Sequence, residues 1–249
     1  MKCLVIVPTY NERDNIGSLI EAVLAIPRQF DILVVDDNSP DGTGDVVSEH
    51  EARSSRVHLM KRPGPRGFGP SYVDGFKYAL ANGYDAVLCM DADFSHDPAN
   101  LPDLLDGLGD ADIAIGSRYC DGRISVINWP VQRLILSMLG GAYVRWITRL
   151  KVCDPTAGFK AIRSRVLSAI DLDTLRSNGY SFQVESIYRA HRSGFTIKEV
   201  PIVFTERRLG QSKMSKSIVF EAMLMPWRLR FSRFVPLPVP VESERELAA

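Results

Sequence analysis

Asp91-Ala92-Asp93 directly follows the apolar run at residues 86–90. Carboxylates resist burial unless they are paired or bound to metal. At the end of a strand they can instead reach into a cleft. Two hard oxygen donors this close suit Mg²⁺ or Mn²⁺, ions that commonly bridge to substrate phosphates. A solvated acidic turn has the same composition, so the tripeptide needs context. Other polar sets also follow apolar runs: Pro8, Thr9, Tyr10, Asn11 and Glu12; Asp36, Asp37, Asn38 and Ser39; and Gly116, Ser117 and Arg118. Paired acids occurring twice, with an arginine nearby, exceed ordinary loop polarity.

The runs at 3–7, 32–35, 57–60, 86–90 and 113–115 are short, apolar and rich in β-branched residues. They read as parallel strands covered on both faces. Amphipathic stretches lie between them at 15–25, 42–52, 69–81 and 98–108. The first gathers Ile16, Leu19, Ile20, Val23 and Leu24 on one face, and the last opens with Asp97 as N-cap before Pro98. The β–α alternation predicts a doubly wound α/β sheet, whose ligands bind at the carboxyl ends of the strands. That edge is where the polar sets fall. Farther along, we expect a helix over 130–149 and a strand over 159–162, after the turn at 154–158. A helix over 182–193, an extended segment over 197–205 and an apolar-basic helix over 215–230 follow. The predicted organisation is a catalytic domain over 1–214, an amphipathic interfacial helix over 215–235 and a disordered, proline-punctuated tail over 236–249.

Composition narrows the function. Thirty Lys and Arg balance thirty Asp and Glu, so the formal net charge is zero. Broad nucleic-acid binding needs a strong positive field and is not expected. Cys3, Cys89, Cys120 and Cys153 are scattered without metal-ligand spacing, which implies no disulfide framework and a reducing compartment. Met1-Lys2 leads into a short strand rather than a signal peptide. No stretch reaches the ~20 apolar residues needed to span a bilayer. Residues 129–150 come nearest, but Gln132, Arg133, Arg145 and Arg149 interrupt them. Membrane contact is therefore expected to be peripheral. Neither a G-x-G-x-x-G fingerprint nor a P-loop is present, and Gly67-Phe68-Gly69 is a weak signal. A nucleotide here would be held by metal and side chains rather than by a glycine cradle.

Together these residues resemble the family-2 glycosyltransferases of GT-A fold, and among them the dolichol/polyprenol-phosphate mannose synthases. The resemblance runs from Val5 to about Glu221. Its ordered blocks lie at 7–12 (Val-Pro-Thr-Tyr-Asn-Glu), 35–43 (Val-Asp-Asp-Asn-Ser-Pro-Asp-Gly-Thr), 67–72, 90–96 (Met-Asp-Ala-Asp-Phe-Ser-His), 116–119 (Gly-Ser-Arg-Tyr), 154–160, 179–185, 199–207 and 210–215. The resemblance implies a Rossmann-like doubly wound mixed sheet with a C-terminal amphipathic helical extension. It implies inverting transfer of mannose from GDP-mannose to a polyprenyl monophosphate, with Mg²⁺ or Mn²⁺. Pro8, Tyr10, Glu12 and Asp37 match positions that hold the sugar nucleotide, and Asp91, Ala92 and Asp93 match the metal-diphosphate motif. Asp93 is the firmer metal ligand; Asp91 stands at the metal or the sugar, and Ser95 falls where some members place a further ligand. Arg118, Arg133, Ser137 and Arg207 match lipid-phosphate positions, to which we add Lys213. Asp91, Asp93, Arg118 and Arg207 form the expected catalytic set.

One stretch departs from the pattern. Relatives often carry Lys-x-Gly-Leu-Gly, where this chain has Pro65-Arg66-Gly67-Phe68-Gly69; Arg66 offers the charge from a shifted position. His96 reads as a structural hydrogen-bonding residue, while Asp154, Tyr180, Gln183 and Glu185 border the sugar or acceptor pocket in this reading. Glu185 pairing with an arginine remains an alternative. The apolar-basic helices suit a bilayer interface as well as core packing. They imply peripheral attachment at the cytoplasmic face of a membrane and leave room for a membrane-anchoring subunit. Three competing functions stay open: a UDP-glucose-dependent polyprenyl-phosphate glucosyltransferase, a sugar-nucleotide pyrophosphorylase and a non-catalytic binding module. Pro8–Glu12, in place of a glycine-rich loop, argues against the pyrophosphorylase, and the intact acids and arginines argue against the module.

Overall fold

Strand β1 (Cys3–Thr9) shows how the sheet divides the interior. Leu4 and Ile6 enter one apolar core, while Cys3, Val5 and Val7 enter another. The two-residue period of an extended chain sends alternate side chains to opposite faces, so a strand apolar throughout must be covered twice. The computed structural model of the chain describes residues 1–175, 177, 179–205 and 216–232, with only the backbone described for 216–222.

The principal sheet also contains β2 (Asp31–Asp36), β3 (Val57–Lys61), β4 (Ala86–Cys89), β5 (Ile113–Ser117), β7 (Lys160–Arg163) and β8 (Ile197–Pro201). Its order is β3-β2-β1-β4-β7-β5-β8. On one face lie α1 (Arg13–Leu24), with Ile16, Leu19, Ile20 and Val23 buried, and α4 (Leu101–Gly107); α2 (Thr43–Arg53) adds Val47. The other face is covered by α3 (Phe68–Ala81), α6 (Ser164–Ala169) and α7 (Gly179–Arg192). Gly75 of α3 allows a close approach to the sheet: a Cβ there would stand 2.8 Å from Ile6 Cγ2. Asp97 caps a short 3₁₀ turn, Pro98–Asn100, by accepting from Ala99 N at 2.9 Å, and α4 continues from it.

The sheet is mixed. β7 is antiparallel to both β4 and β5, and the remaining pairings are parallel. Because β7 runs the other way, its amino end lies at the carboxyl edge of β4 and β5. The turn at 154–158 is thereby delivered to the binding edge. The extended segment expected at 197–205 divides in two. β8 ends at Pro201, with Ile202 N still donating to Ser117 O at 3.1 Å; β9 (Phe204–Thr205) then pairs with β6 (Val126–Ile127) in a small second sheet.

α5 (Val131–Thr148) packs against α8 (Lys216–Phe231), which also contacts α7. Met225 and Leu229 of α8 are buried in the same core as Val144 of α5, so this helix is joined to the α/β unit by apolar packing. Among the described residues, no helix is long and apolar enough to cross a membrane. All four cysteines are free thiols. The expected tail at 236–249 lies outside the described residues.

Candidate active site

A cleft of about 530 Å³ opens at the carboxyl edge of the sheet. Pro8, Tyr10, Glu12, Asp37, Asp91, Ala92, Asp93, Ser95, Arg118 and Arg133 all line it. Sequence positions from five separate loops and helices thus meet in one place. Ser137 is not among the lining residues; its Oγ accepts from the Tyr119 hydroxyl at 2.9 Å. Arg207 and Lys213 lie outside the described residues.

Backbone geometry holds the acidic pair in a tight turn. Ser95 N donates to Asp93 Oδ1 at 3.0 Å, and Asp91 N donates to His96 Nδ1 at 3.2 Å. Between them Phe94 takes a left-handed φ of 59°, a conformation that costs a bulky side chain energy and recurs at functional sites. His96 is buried and stacked on Phe159 at 4.8 Å between ring centroids. Burial pushes its pKa down to about 4, against the opposing pull of Asp93. A neutral imidazole can accept the Asp91 N–H, so His96 has the structural role read from its position. The Asp91 side chain keeps 35% of its surface exposed. Among the described residues, no group of three or more His, Cys, Asp or Glu is gathered that could cage a metal. Asp91 and Asp93, two hard oxygen donors beside the cleft, are the residues that would hold a Mg²⁺ or Mn²⁺ ion.

The two acids at the carboxyl end of β2 have different tasks. Asp36 ties loops together, accepting from Thr9 Oγ1 at 2.9 Å and Ser39 N at 2.9 Å. Asp37 borders the cleft, pairs with the buried Arg62 and accepts from Gly67 N at 2.9 Å. Arg62 also reaches Asp74 at 2.7 Å. The loop that departs from the family pattern brings Arg66 into the cleft, with its guanidinium 4.1 Å from the centre of the Tyr10 ring. The shifted charge therefore stands where a nucleotide could meet it.

Arg118 is buried and engaged. Its Nε and Nη2 donate to the Asp154 carboxylate at 2.6 and 2.7 Å, and Nη2 also reaches Thr156 Oγ1 at 2.9 Å. Burial alone would lower the guanidinium pKa, but the carboxylate raises it above the ordinary value. Among the described residues, Nη1 makes no protein hydrogen bond. Glu199 in turn accepts from Cys153 N at 2.7 Å and Asp154 N at 3.0 Å, clamping the loop that holds Arg118. Arg133 stacks on Trp129 at 4.1 Å. Glu185 does not reach the cleft: it pairs with Arg189 at 2.5 Å and accepts from Ser177 N at 3.2 Å. Sequence reasoning missed Arg62 and Glu199, because an isolated arginine and a strand glutamate have no local pattern. In the sequence Asp154 reads as bordering the sugar or acceptor pocket; its pairing with Arg118 is not legible there.

Comparison with known proteins agrees with this geometry. The model for glycosyl transferase family 2 matches residues 4–171. The chain is 47% identical to a polyprenol monophosphomannose synthase of Mycolicibacterium smegmatis over 233 residues, covering 92% of this chain and 88% of the relative. It is 45% identical to an undecaprenyl-phosphate mannosyltransferase of Micrococcus luteus, with 90% and 92% covered. Among solved structures, it is similar to a glucosyl-3-phosphoglycerate synthase from Mycobacterium tuberculosis in complex with Mn²⁺, UDP-glucose and phosphoglyceric acid. The TM-score is 0.63 at 17% identity, with 96% of this chain and 88% of that one covered. The architecture is that of the GT-A glycosyltransferases.

Proposed function

The chain belongs to glycosyl transferase family 2, and we propose that it transfers mannose from GDP-mannose to a polyprenyl monophosphate, with inversion, to give a β-linked mannosyl phosphate lipid. The observation that carries this reading is one cleft holding Asp91 and Asp93 together with Arg118 and Arg133. The names of the relatives that match nearly the whole chain support the mannose and the lipid phosphate.

The chemistry suits such a site. A phosphate monoester has a second pKa near ~6, so the acceptor is largely dianionic at pH 7 and needs little general-base help. The harder task is to hold two anions together. Asp91 and Asp93 would hold the divalent ion, which when bound offsets the charge of the departing nucleoside diphosphate. Tyr10, Glu12 and Asp37 border the nucleotide end, and Arg66 extends over the Tyr10 ring. Arg118 presents Nη1 from a position fixed by Asp154, so its donor is oriented before the acceptor phosphate arrives. Arg133 supplies a second guanidinium from α5. Such positioning for in-line attack accounts for much of the rate. In the same reading, α5 and α8 rest peripherally on the cytoplasmic face of a membrane, where the acceptor resides, and a membrane-anchoring subunit would act beside them. Support comes from the exposed Leu136, Leu139 and Trp146 on α5 and Trp227 and Phe231 on α8.

Transfer of radiolabel from GDP-mannose or UDP-glucose into polyprenyl phosphate, with and without Mg²⁺ or Mn²⁺, tests the proposal. Metal-dependent mannosyl lipid is expected. Asp93→Ala should lower turnover by ~10²-fold or more at an unchanged melting temperature. Absence of lipid product from GDP-mannose would overturn the reading, and product from UDP-glucose alone would replace the donor.

A further inference from the structure

Gln183 lies in the second turn of α7, between Phe182 and Val184, which are both buried in the core. The residue is 2% exposed, yet neither Oε1 nor Nε2 has a hydrogen-bond partner among the described residues. Buried amides are almost always paired, because an unmet donor or acceptor loses its hydration without compensation. The backbone beneath it is well held: Ser186 Oγ donates to Gln183 O at 3.0 Å, and Lys160 Nζ lies 3.5 Å from the same oxygen. The rigid part is satisfied, and the amide is not.

The amide borders the catalytic cleft. A Cβ placed on Gly158 would stand 3.4 Å from Gln183 Nε2, 3.5 Å from His96 Cε1 and 3.9 Å from Asp91 Oδ2. One small space therefore separates the amide from the Asp91 carboxylate, and the residue facing it has no side chain. A primary amide offers two N–H donors and a carbonyl acceptor. Neighbouring hydroxyls of a pyranose, each both donor and acceptor, match it; a phosphate, which only accepts, would leave Oε1 unmet. We propose that Gln183 is a sugar-recognition residue, whose amide binds hydroxyls of the donor hexose beside Asp91. The inference rests on the sugar-transfer reading above and adds the group that reads the sugar rather than the nucleotide.

The test compares the full chain with Gln183→Met, which has nearly the same shape and no hydrogen-bonding amide, and with Gln183→Asn, which withdraws the amide by one methylene. Calorimetric binding of GDP, GDP-mannose, UDP and UDP-glucose in Mg²⁺ is measured alongside melting temperature. Gln183→Met should melt no lower than the parent, since it removes two orphaned polar atoms from the interior. It should bind the free nucleoside diphosphate unchanged and lose 10- to 100-fold in affinity for the sugar nucleotide, with Gln183→Asn showing the same pattern. Unfolding of Gln183→Met, equal loss of both ligands or an unaltered preference for the sugar nucleotide would each overturn the inference. Mannosyl transfer with an unaltered preference would leave the proposed function standing and remove Gln183 from it. A parent that favours UDP-glucose over UDP, with that preference lost in Gln183→Met, would keep Gln183 and replace mannose.

Discussion

Arg118 and Asp154 stand 36 residues apart and form a buried bidentate pair at 2.6 and 2.7 Å. The residue scale is where the sequence is easiest to over-read. In the proposed reading Arg118 meets the lipid phosphate, but most of its donors already serve the protein, so what it offers there is an oriented remainder. Removing Asp154 would leave a buried guanidinium unpaired. Asp154→Ala should cost ~3–5 kcal/mol, measurable as a fall in denaturant midpoint. Asp154→Leu combined with Arg118→Met should recover much of that stability while transfer stays lost. Recovery of activity in the double variant would show that neither charge is needed. The acids Asp91, Asp93 and Asp37 were legible because each follows an apolar run. Their partners His96, Arg62 and Gly67 were not legible as partners, since contact depends on how the loops meet.

At the scale of elements, β7 and α7 decide the site. β7 inserts antiparallel between β4 and β5, and its Lys160 is buried under α7 near Ser186 and Gln183. Burial lowers the Lys160 pKa to about 8. Between pH 8 and the ordinary lysine value near ~10.4, the unfolded chain keeps a proton that the folded chain has released, so this residue makes stability rise with pH. Below pH 8 both states are protonated, and the cost of the buried charge is constant. Cys89, opposite Lys160 in the ladder, is pushed up to about 12 by burial and acts in the opposite sense above pH 9. The lysine is therefore isolated by comparison. Lys160→Met should be more stable than the parent at pH 7 by up to ~3 kcal/mol, and the gap should narrow by pH 10. Denaturant midpoints at the two pH values check this; a constant gap would rule out titration of Lys160 as the source. The strand itself was readable at 159–162, but its direction was not. Direction depends on which neighbours it joins, and both are distant in sequence.

At the scale of the whole molecule, one face is more apolar than a solvated surface requires. α5 and α8 pack through Val144, Met225 and Leu229 and expose a further apolar surface that includes Trp146, at 74% of its accessible area, and Phe231, at 75%. Trp227 stacks on Phe231 and meets Trp146 edge to face, so these rings form one patch. Exposed aromatics beside arginines suit the interface of an anionic bilayer. Leu136→Glu combined with Leu139→Glu should reduce vesicle flotation at least tenfold. Transfer to a water-soluble, short-chain prenyl phosphate should be retained; unchanged flotation, or a parent that does not float, would overturn docking through this face. The sequence by itself determined the alternation of strands and helices, the apolar pattern of both sheet faces and the clustering of acids at strand ends, because these depend on local period and burial. Its family blocks determined the chemistry expected there. Only the tertiary structure decided that Ser137 turns to Tyr119, that Arg118 is held by Asp154 and that Glu185 serves α7 rather than the cleft. It also left the Gln183 amide without a partner among the described residues. Each of these depends on a side chain's full set of neighbours, which come together only when segments far apart in the chain are packed.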